Sequence, residues 1–312
     1  MTPAIGSRSG ILLLDKPPGI TSHDVVARVR RLAGTRKVGH AGTLDPMATG
    51  LLVLGLNSST RLLTYLVGLD KEYLATIRLG QSSSTDDAMG ELGEAHDVSH
   101  IDPAAIERGI AELTGDILQR PSAVSAIKVA GRRAYDRVRD GEAVELDARP
   151  VTVSAFELLE TRRDGFIDLD VRVECSSGTY IRALARDLGE ALGVGGHLTA
   201  LRRSRVGPFM VSDAATLPER PAPGSQPAAA DTAALAEALL RPADVAASLF
   251  GSLQLTAEQA RDLAHGKRVE VDAADIECIA AVTPDGALAG LVELRGRRAR
   301  PLVNFPTDEV LA

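Results

Sequence analysis

One carboxylate stands alone in the stretch GHAGTLDPMATGLLVLGL, Gly39–Leu56. Between Ala41 and Thr60, Asp45 is the only charged residue. A carboxylate drawn toward apolar surroundings costs free energy unless it is paired or hydrogen-bonded. Two readings stand side by side. Asp45 before Pro46 fits a turn or a helix entry, with Asp capping and Pro at the first helical position. Alternatively, Asp45 is a nucleophile. A second group, GTYIR, puts Tyr180 and Arg182 where a strand hands over to a helix. An arginine there can pair with a carboxylate and hold it ionised. Tyr73, in an alternating strand pattern, is a third candidate; the ordinary role of a strand tyrosine is core packing.

Most other chemistries lack their residues. The chain has no Walker A sequence, no dinucleotide-binding glycine fingerprint after its first strand and no HExxH. Cys175 and Cys278 are far apart and match no metal spacing; Cys175 falls in a strand pattern and reads as a buried thiol. A two-carboxylate glycosidase needs a second carboxylate near Asp45, and no motif selects one.

The elements that must position these residues are legible from periodicity. Ile11 to Leu14 read as a short buried strand stopped by Pro17, Pro18 and Gly19. Val25, Val26, Val29, Leu32 and Ala33 share one helical face, ended by Gly34. Tyr73, Ala75, Ile77 and Leu79 lie on one face of a strand, and QSSSTDDAMGE reads as a loop. IDPAAIERGIAELTG reads as a helix with Pro103 near its start and Gly115 at its end. FIDLDVRVEC turns Ile167, Leu169, Val171, Val173 and Cys175 one way and its charges the other. SSGT then leads into a helix striped by Ile181, Leu184, Ala185, Leu188, Ala191 and Leu192, ended by Gly193. LPERPAPGSQPAAA, 217–230, has the composition of an insertion or linker. Near the C-terminus, Thr256 and Gln259 form a capping box, and ECIAAVTPDGALAGLVEL reads as a hairpin. Strands and helices mix without regular β-α alternation, which favours an α+β fold.

Composition sets outer bounds. The chain has 312 residues, 45% hydrophobic and 25% charged, as in a soluble globular protein with one large domain and a small one. Aromatics are 3% with no Trp, so few residues can stack on a base. The net charge of −7 argues against coating nucleic acid by bulk charge, yet leaves room for a local basic groove. Basic residues do cluster, at Arg28–Lys37, Arg132–Arg139, Arg202–Arg205 and Arg295–Arg300. There is no signal peptide and no apolar run of membrane-spanning length, so the expected location is the cytoplasm.

The segments LLLDKPPGITSHDVV, KVGHAGTLDPMATGLLVLGLNSSTRL, DKEYLATIRLG, SAIKVAGRRAYDRVRDG, SSGTYIRALARDLGEALG and GGHLTALRRSRVG occur in that order. Together they closely resemble the bacterial tRNA pseudouridine synthase B (TruB) family, from Ile11 to Pro208. The resemblance implies an isomerase that converts uridine-55 in the T arm of tRNA to pseudouridine. It implies an α+β pseudouridine synthase fold with a largely antiparallel or mixed central sheet over 1–250, and a small PUA-like β-rich domain over 251–312. By the same resemblance Asp45 is the nucleophile, and His40, Tyr73, Tyr180, Arg182 and Leu201 line the uridine site. Lys16, in the DKP turn, is a further candidate for that neighbourhood. Residues 125–150 hold an insertion that grips the T arm, and the basic clusters become phosphate contacts.

The expected partner is tRNA, bound by a monomer, with no membrane, metal or cofactor. The sequence departs from the family at Ala41, where many members have Thr, and in the 217–230 stretch, which is outside the common pattern. Two other readings remain: an RNA-binding or folding-helper protein, and a pseudouridine synthase acting on another RNA.

Overall fold

The computed structural model describes residues 5–122, 128–129, 132–133, 146–219, 226 and 228–305. Most of the expected RNA-gripping insertion at 125–150 lies outside the described residues, Arg137 and Arg139 included. So do residues 220–225 and 227 of the Pro/Ala-rich stretch. The chain divides into two compact units: residues 1–46, 50–67 and 208–312, and residues 47–49 and 68–207.

The first unit opens with β1 (Gly10–Lys16), α1 (Ser22–Ala33), β2 (Val38–His40) and β3 (Thr49–Leu56). A 3-10 turn at Asn57–Leu62 then runs into α2 (Leu63–Leu66). β3 pairs antiparallel with β1 and with β2. Its residues from Gly50 to Leu56 are all buried, as expected of a strand covered on both faces. α1 starts where Thr21 and Asp24 make a capping box and stops at Gly34, whose φ of 67° is the left-handed conformation that glycine adopts without strain.

The second unit follows with β4 (Lys71–Leu79), β5 (Gln81–Ser83), β6 (Leu92–Ala95), α3 (Pro103–Glu112) and β7 (Gly115–Gln119). It continues with β8 (Lys128–Val129), β9 (Arg132–Arg133), β10 (Arg149–Asp164), β11 (Phe166–Cys175), α4 (Ile181–Ala191) and β12 (Gly196–Val206). Here β12, β4, β11, β10 and β7 pair in that order, each antiparallel to the next. The apolar residues expected to share a face of β4 and of β11 are buried. On the other face, Arg78 pairs with Asp168, Arg162 with Asp170, and Arg172 with Glu72, Glu157 and Glu174. Such ion pairs across strands are individually weak but reinforce the register. α3 ends at Glu112, short of Gly115, which instead opens β7.

The chain then returns to the first unit with β13 (Phe209–Met210), β14 (Ala215–Thr216), α5 (Ala229–Glu237), β15 (Leu239–Leu240) and α6 (Pro242–Phe250). β14 pairs parallel and β15 antiparallel with β1. Leu235, Ala236 and Leu239 join Val25, Val29 and Leu32 of α1 in one core with Leu52 and Leu54. Last come β16 (Ser252–Gln254), α7 (Ala257–Ala264), β17 (Val269–Glu270), β18 (Ile276–Val282), β19 (Leu288–Arg295) and β20 (Arg298–Asn304). These five strands form their own sheet, in the order β16-β18-β19-β20-β17, over a separate core that includes Leu263, Ile279, Val292 and Leu294. The expected capping box at Thr256 and Gln259 is present, and β18–β19 is the expected hairpin.

Two expectations about stability follow. In an exposed helix, Gly→Ala gains up to about 1 kcal/mol. At Gly189 of α4, however, an added Cβ would lie 2.2 Å from the backbone of Gly195 and of Gly196. Gly189→Ala should therefore lower unfolding stability by about 1–3 kcal/mol in urea titrations, because the overlap is with main chain that has no rotamer to yield. The second concerns Lys71, whose ammonium burial, aided by Arg203, pulls down from 10.5 to about 8. Between those values the unfolded state binds the proton and the native state does not, so stability rises with pH. The buried Cys175 thiol, pushed from 9.0 up to about 11, acts in the opposite sense only above pH 9. Unfolding free energy measured between pH 8 and pH 9 should rise in the wild type and rise less in Lys71→Met.

Candidate active site

Lys16, His40 and Asp45 belong to the first unit; Tyr73, Tyr180, Arg182 and Leu201 belong to the second. No helix follows Asp45: Pro46 and Met47 form a bend and the chain enters β3 at Thr49. The helix-cap reading of Asp-Pro is therefore incorrect. The physical reason lies downstream, where LLVLGL is a fully buried strand whose backbone bonds are taken by β1 and β2.

Asp45 is half-buried, and the backbone on each side of it is pinned. Ahead of it, the Ser22 hydroxyl accepts from the Leu44 N–H at 2.9 Å and donates to the Leu44 carbonyl at 3.1 Å. Behind it, the Pro46 carbonyl accepts from the Gly19 N–H at 2.8 Å and from Lys16 Nζ at 3.3 Å. Lys16 has no exposed surface, and its Nζ also donates to the carbonyls of Pro17 and Ile20 at 2.9 and 2.8 Å. Its ammonium thus ties the DKPPGI turn to the Asp45–Pro46 bend. His40 closes β2, half-buried, with its ring edge-on to His23 at 5.7 Å between centroids.

In the second unit Tyr73 and Leu201 are both nearly buried, on the adjacent strands β4 and β12. Tyr180 is the residue before α4, and both its main-chain groups are held by one side chain. Its N–H donates to Gln119 Oε1 at 2.8 Å, and its carbonyl accepts from Gln119 Nε2 at 3.1 Å. Arg182, in the first turn of α4, is buried. Its Nη1 donates to the Thr85 carbonyl at 2.9 Å and lies 3.4 Å from the buried Asp87 carboxylate. Asp87 is in turn fixed by the Thr85 hydroxyl at 2.6 Å and the Met89 N–H at 3.0 Å. What the sequence shows as a polar loop is the seat of a buried guanidinium.

Comparison with known proteins now decides the family. The model described as TruB family pseudouridylate synthase (N-terminal domain) matches residues 30–181. The tRNA pseudouridylate synthase B C-terminal domain matches 182–246, and the tRNA pseudouridine synthase II C-terminal model matches 250–306. The tRNA pseudouridine synthase B of Leifsonia xyli subsp. xyli is 60% identical over 97% of this chain and 98% of its own. That of Thermobifida fusca is 54% identical over 95% and 98%. The chain belongs to the TruB family of pseudouridylate synthases. Like them it is an isomerase. Two solved structures share the fold. A Cbf5–Nop10–Gar1 complex aligns at 25% identity and a TM-score of 0.68, covering 97% of this chain and 87% of the other. An H/ACA RNP bound to a substrate RNA containing 2′-deoxyuridine aligns at 24% and 0.67, covering 96% and 86%.

Within this TruB chain, arginines of two basic clusters meet carboxylates of the same chain. On β12 Arg203 is buried, and Arg205 pairs with Asp70 and Glu174. Around the β19–β20 turn, Arg295 and Arg300 share Glu293, Arg297 pairs with Asp272, and Arg298 lies 3.8 Å from Glu270. In the cluster on α1, Arg28 and Arg30 donate to the carbonyls of Pro218 and Val38. The sequence alone does not show these carboxylates and carbonyls; the arginines around the β19–β20 turn nonetheless stay exposed, and surface ion pairs of this kind are weak. Sequence reasoning also passed over Ser22, Gln119 and Asp87. Of these, only Ser22, beside a helix start, carried a local signal. Ser22→Ala would leave a buried N–H and C=O of Leu44 without their partner, a loss of about 1–3 kcal/mol. A reduced urea midpoint, with slower pseudouridine formation in the folded fraction, is the expected result.

Proposed function

We propose that this TruB protein isomerises uridine-55 in the T arm of tRNA, with Asp45 as its nucleophile. Near full-length identity of 60% to a tRNA pseudouridine synthase B carries the reading, and the GHAGTLDP segment supplies the carboxylate. The reaction breaks the N1–C1′ bond of the nucleotide, turns the uracil and forms a C5–C1′ bond. The C5 proton passes to water and N1 regains one. Every other atom and all electrons stay in the nucleotide, so the reading assigns no cofactor or metal.

Asp45 attacks C1′, or adds to the base, and so holds one fragment covalently; in a third route it removes a sugar proton to give a glycal. Arg182 brings positive charge to the reacting centre and favours the ionised carboxylate. Tyr73 stacks on the base, Leu201 walls the pocket, and Tyr180 supports it through its ring or hydroxyl. The target base must leave a folded loop, and His40 is the wedge or replacement stack. Lys16 serves by holding the Asp45–Pro46 bend, in keeping with its bonds to three carbonyls. The insertion near 125–150 grips the T arm. The protein acts as a monomer in the cytoplasm; among the described residues no helix is long and apolar enough to cross a membrane.

The test uses a T-arm RNA tritiated at C5 of its uridines. Wild type should release tritium from one uridine, and Asp45→Asn should bind the RNA with unchanged affinity and release none. A wild type that binds without release would favour an RNA-binding or folding-helper role. Release only from other RNAs would move the substrate assignment.

A further inference from the structure

The loop that seats Arg182 is itself held by a carboxylate that the reaction does not use. Asp86 sits between Thr85 and Asp87, the two residues on the Arg182 guanidinium. Its φ of 58° lies in the left-handed region, which aspartate enters more readily than most residues but still at some strain. Its main chain is fully engaged: the N–H donates to the Ser83 carbonyl at 3.1 Å and the carbonyl accepts from the Leu198 N–H at 3.0 Å.

The Asp86 side chain is buried, with 8% of its residue surface exposed. Its Oδ2 accepts from the Ser122 hydroxyl and from Arg186 Nη1, the latter at 3.2 Å. Both partners are anchored elsewhere. Ser122, fully buried just beyond β7, shares its single hydroxyl proton between that carboxylate and the Thr85 carbonyl 3.3 Å away. Arg186 sits one helical turn after Arg182 on α4. It donates to the Arg120 carbonyl at 2.8 Å and to Asp187 at 2.7 and 2.9 Å. One carboxylate therefore joins three pieces of the second unit: α4, the chain leaving β7 and the loop under Arg182. The Thr85 carbonyl that receives Arg182 belongs to the peptide unit directly preceding Asp86, so the position of Asp86 sets where that carbonyl points.

We propose that Asp86 is a positioning residue for the isomerisation, fixing the Thr85 carbonyl through Ser122 and Arg186 and thereby the aim of Arg182. This rests on the reading that Arg182 serves the reacting centre. Orientation matters at that scale, since a misplacement of about 1 Å can slow catalysis by about 100-fold.

Asp86→Gly separates the side chain from the backbone, because glycine takes the positive φ without strain and removes both side-chain bonds. Asp86→Asn keeps an acceptor for Ser122 and tolerates the same φ. The measurements are single-turnover tritium release from T-arm RNA at saturating protein, RNA affinity by filter binding, and the melting temperature. The expected result is release slowed ~10-fold or more in Asp86→Gly, affinity within about twofold of wild type, and Asp86→Asn intermediate. An unchanged rate overturns the proposal. So does a rate loss matched by lost affinity, or an Asn variant no better than Gly. Should Asp86→Gly not fold, Ser122→Ala carries the same test, with slowed release at unchanged affinity expected and an unchanged rate decisive against it. A wild type silent on the same RNA would instead sink the substrate reading, and this proposal with it.

Discussion

An ammonium group with no exposed surface is the constraint on which the first unit turns. Lys16 ends β1 and its Nζ is bonded to three main-chain carbonyls, two in the DKPPGI turn and one at Pro46. Removing a charge from water costs several kcal/mol, which only well-aligned charge-assisted bonds can offset. Those bonds exist in one arrangement of the two turns, so any slackening of either would expose an unsatisfied buried cation. The lysine thus converts a desolvation penalty into conformational specificity, at the residue that follows Asp45. Ser22 does the same at the residue before it, with a neutral hydroxyl used as donor and acceptor. Between these clamps the Asp45 backbone has little room to move.

The second unit solves a similar problem with a different economy of charge. Its strands β4 and β11 bury one face and carry on the other ion pairs that cross from strand to strand. Arg182 is set apart from that exposed ladder. It is buried, and it is met by a carbonyl and by a carboxylate whose own bonds are local to the loop, from Thr85 and Met89. A guanidinium presents its donors in a planar fork, so acceptors fixed in the loop set the orientation of that plane.

Much of this architecture is legible in the residue pattern, and the gaps have physical causes. The strands β4 and β11 separate a buried face from a charged one, so period-two alternation reveals them. α1 and α7 announce themselves through stripe and cap. β3 hides because it is buried on both faces and therefore does not alternate. β10 and β12 hide because Glu157, Arg162, Arg202, Arg203 and Arg205 resemble solvated runs until their partners are known. For β12 the partner lies far away in sequence, Asp70 being 135 positions from Arg205, and for β10 the partners Asp170 and Arg172 lie on the neighbouring strand β11. The Asp45 loop was legible as a motif, through its family pattern, but not as a conformation, since Asp-Pro before a helix and Asp-Pro before a buried strand look alike locally.

The same distinction explains why the supporting residues escaped notice while the candidate site residues did not. Ser22, Gln119 and Ser122 act on main-chain carbonyls or N–H groups, and main chain is common to every residue type. No composition or spacing rule marks the recipient, so such clamps become visible only in three dimensions. Their chemistry nonetheless suits a reaction centre. A clamp that grips the backbone of Leu44, Pro46 or Tyr180 fixes the direction in which a neighbouring side chain leaves the main chain without consuming that side chain's own donors and acceptors. Rigidity is supplied by buried, satisfied amides and hydroxyls, whose loss is felt as stability.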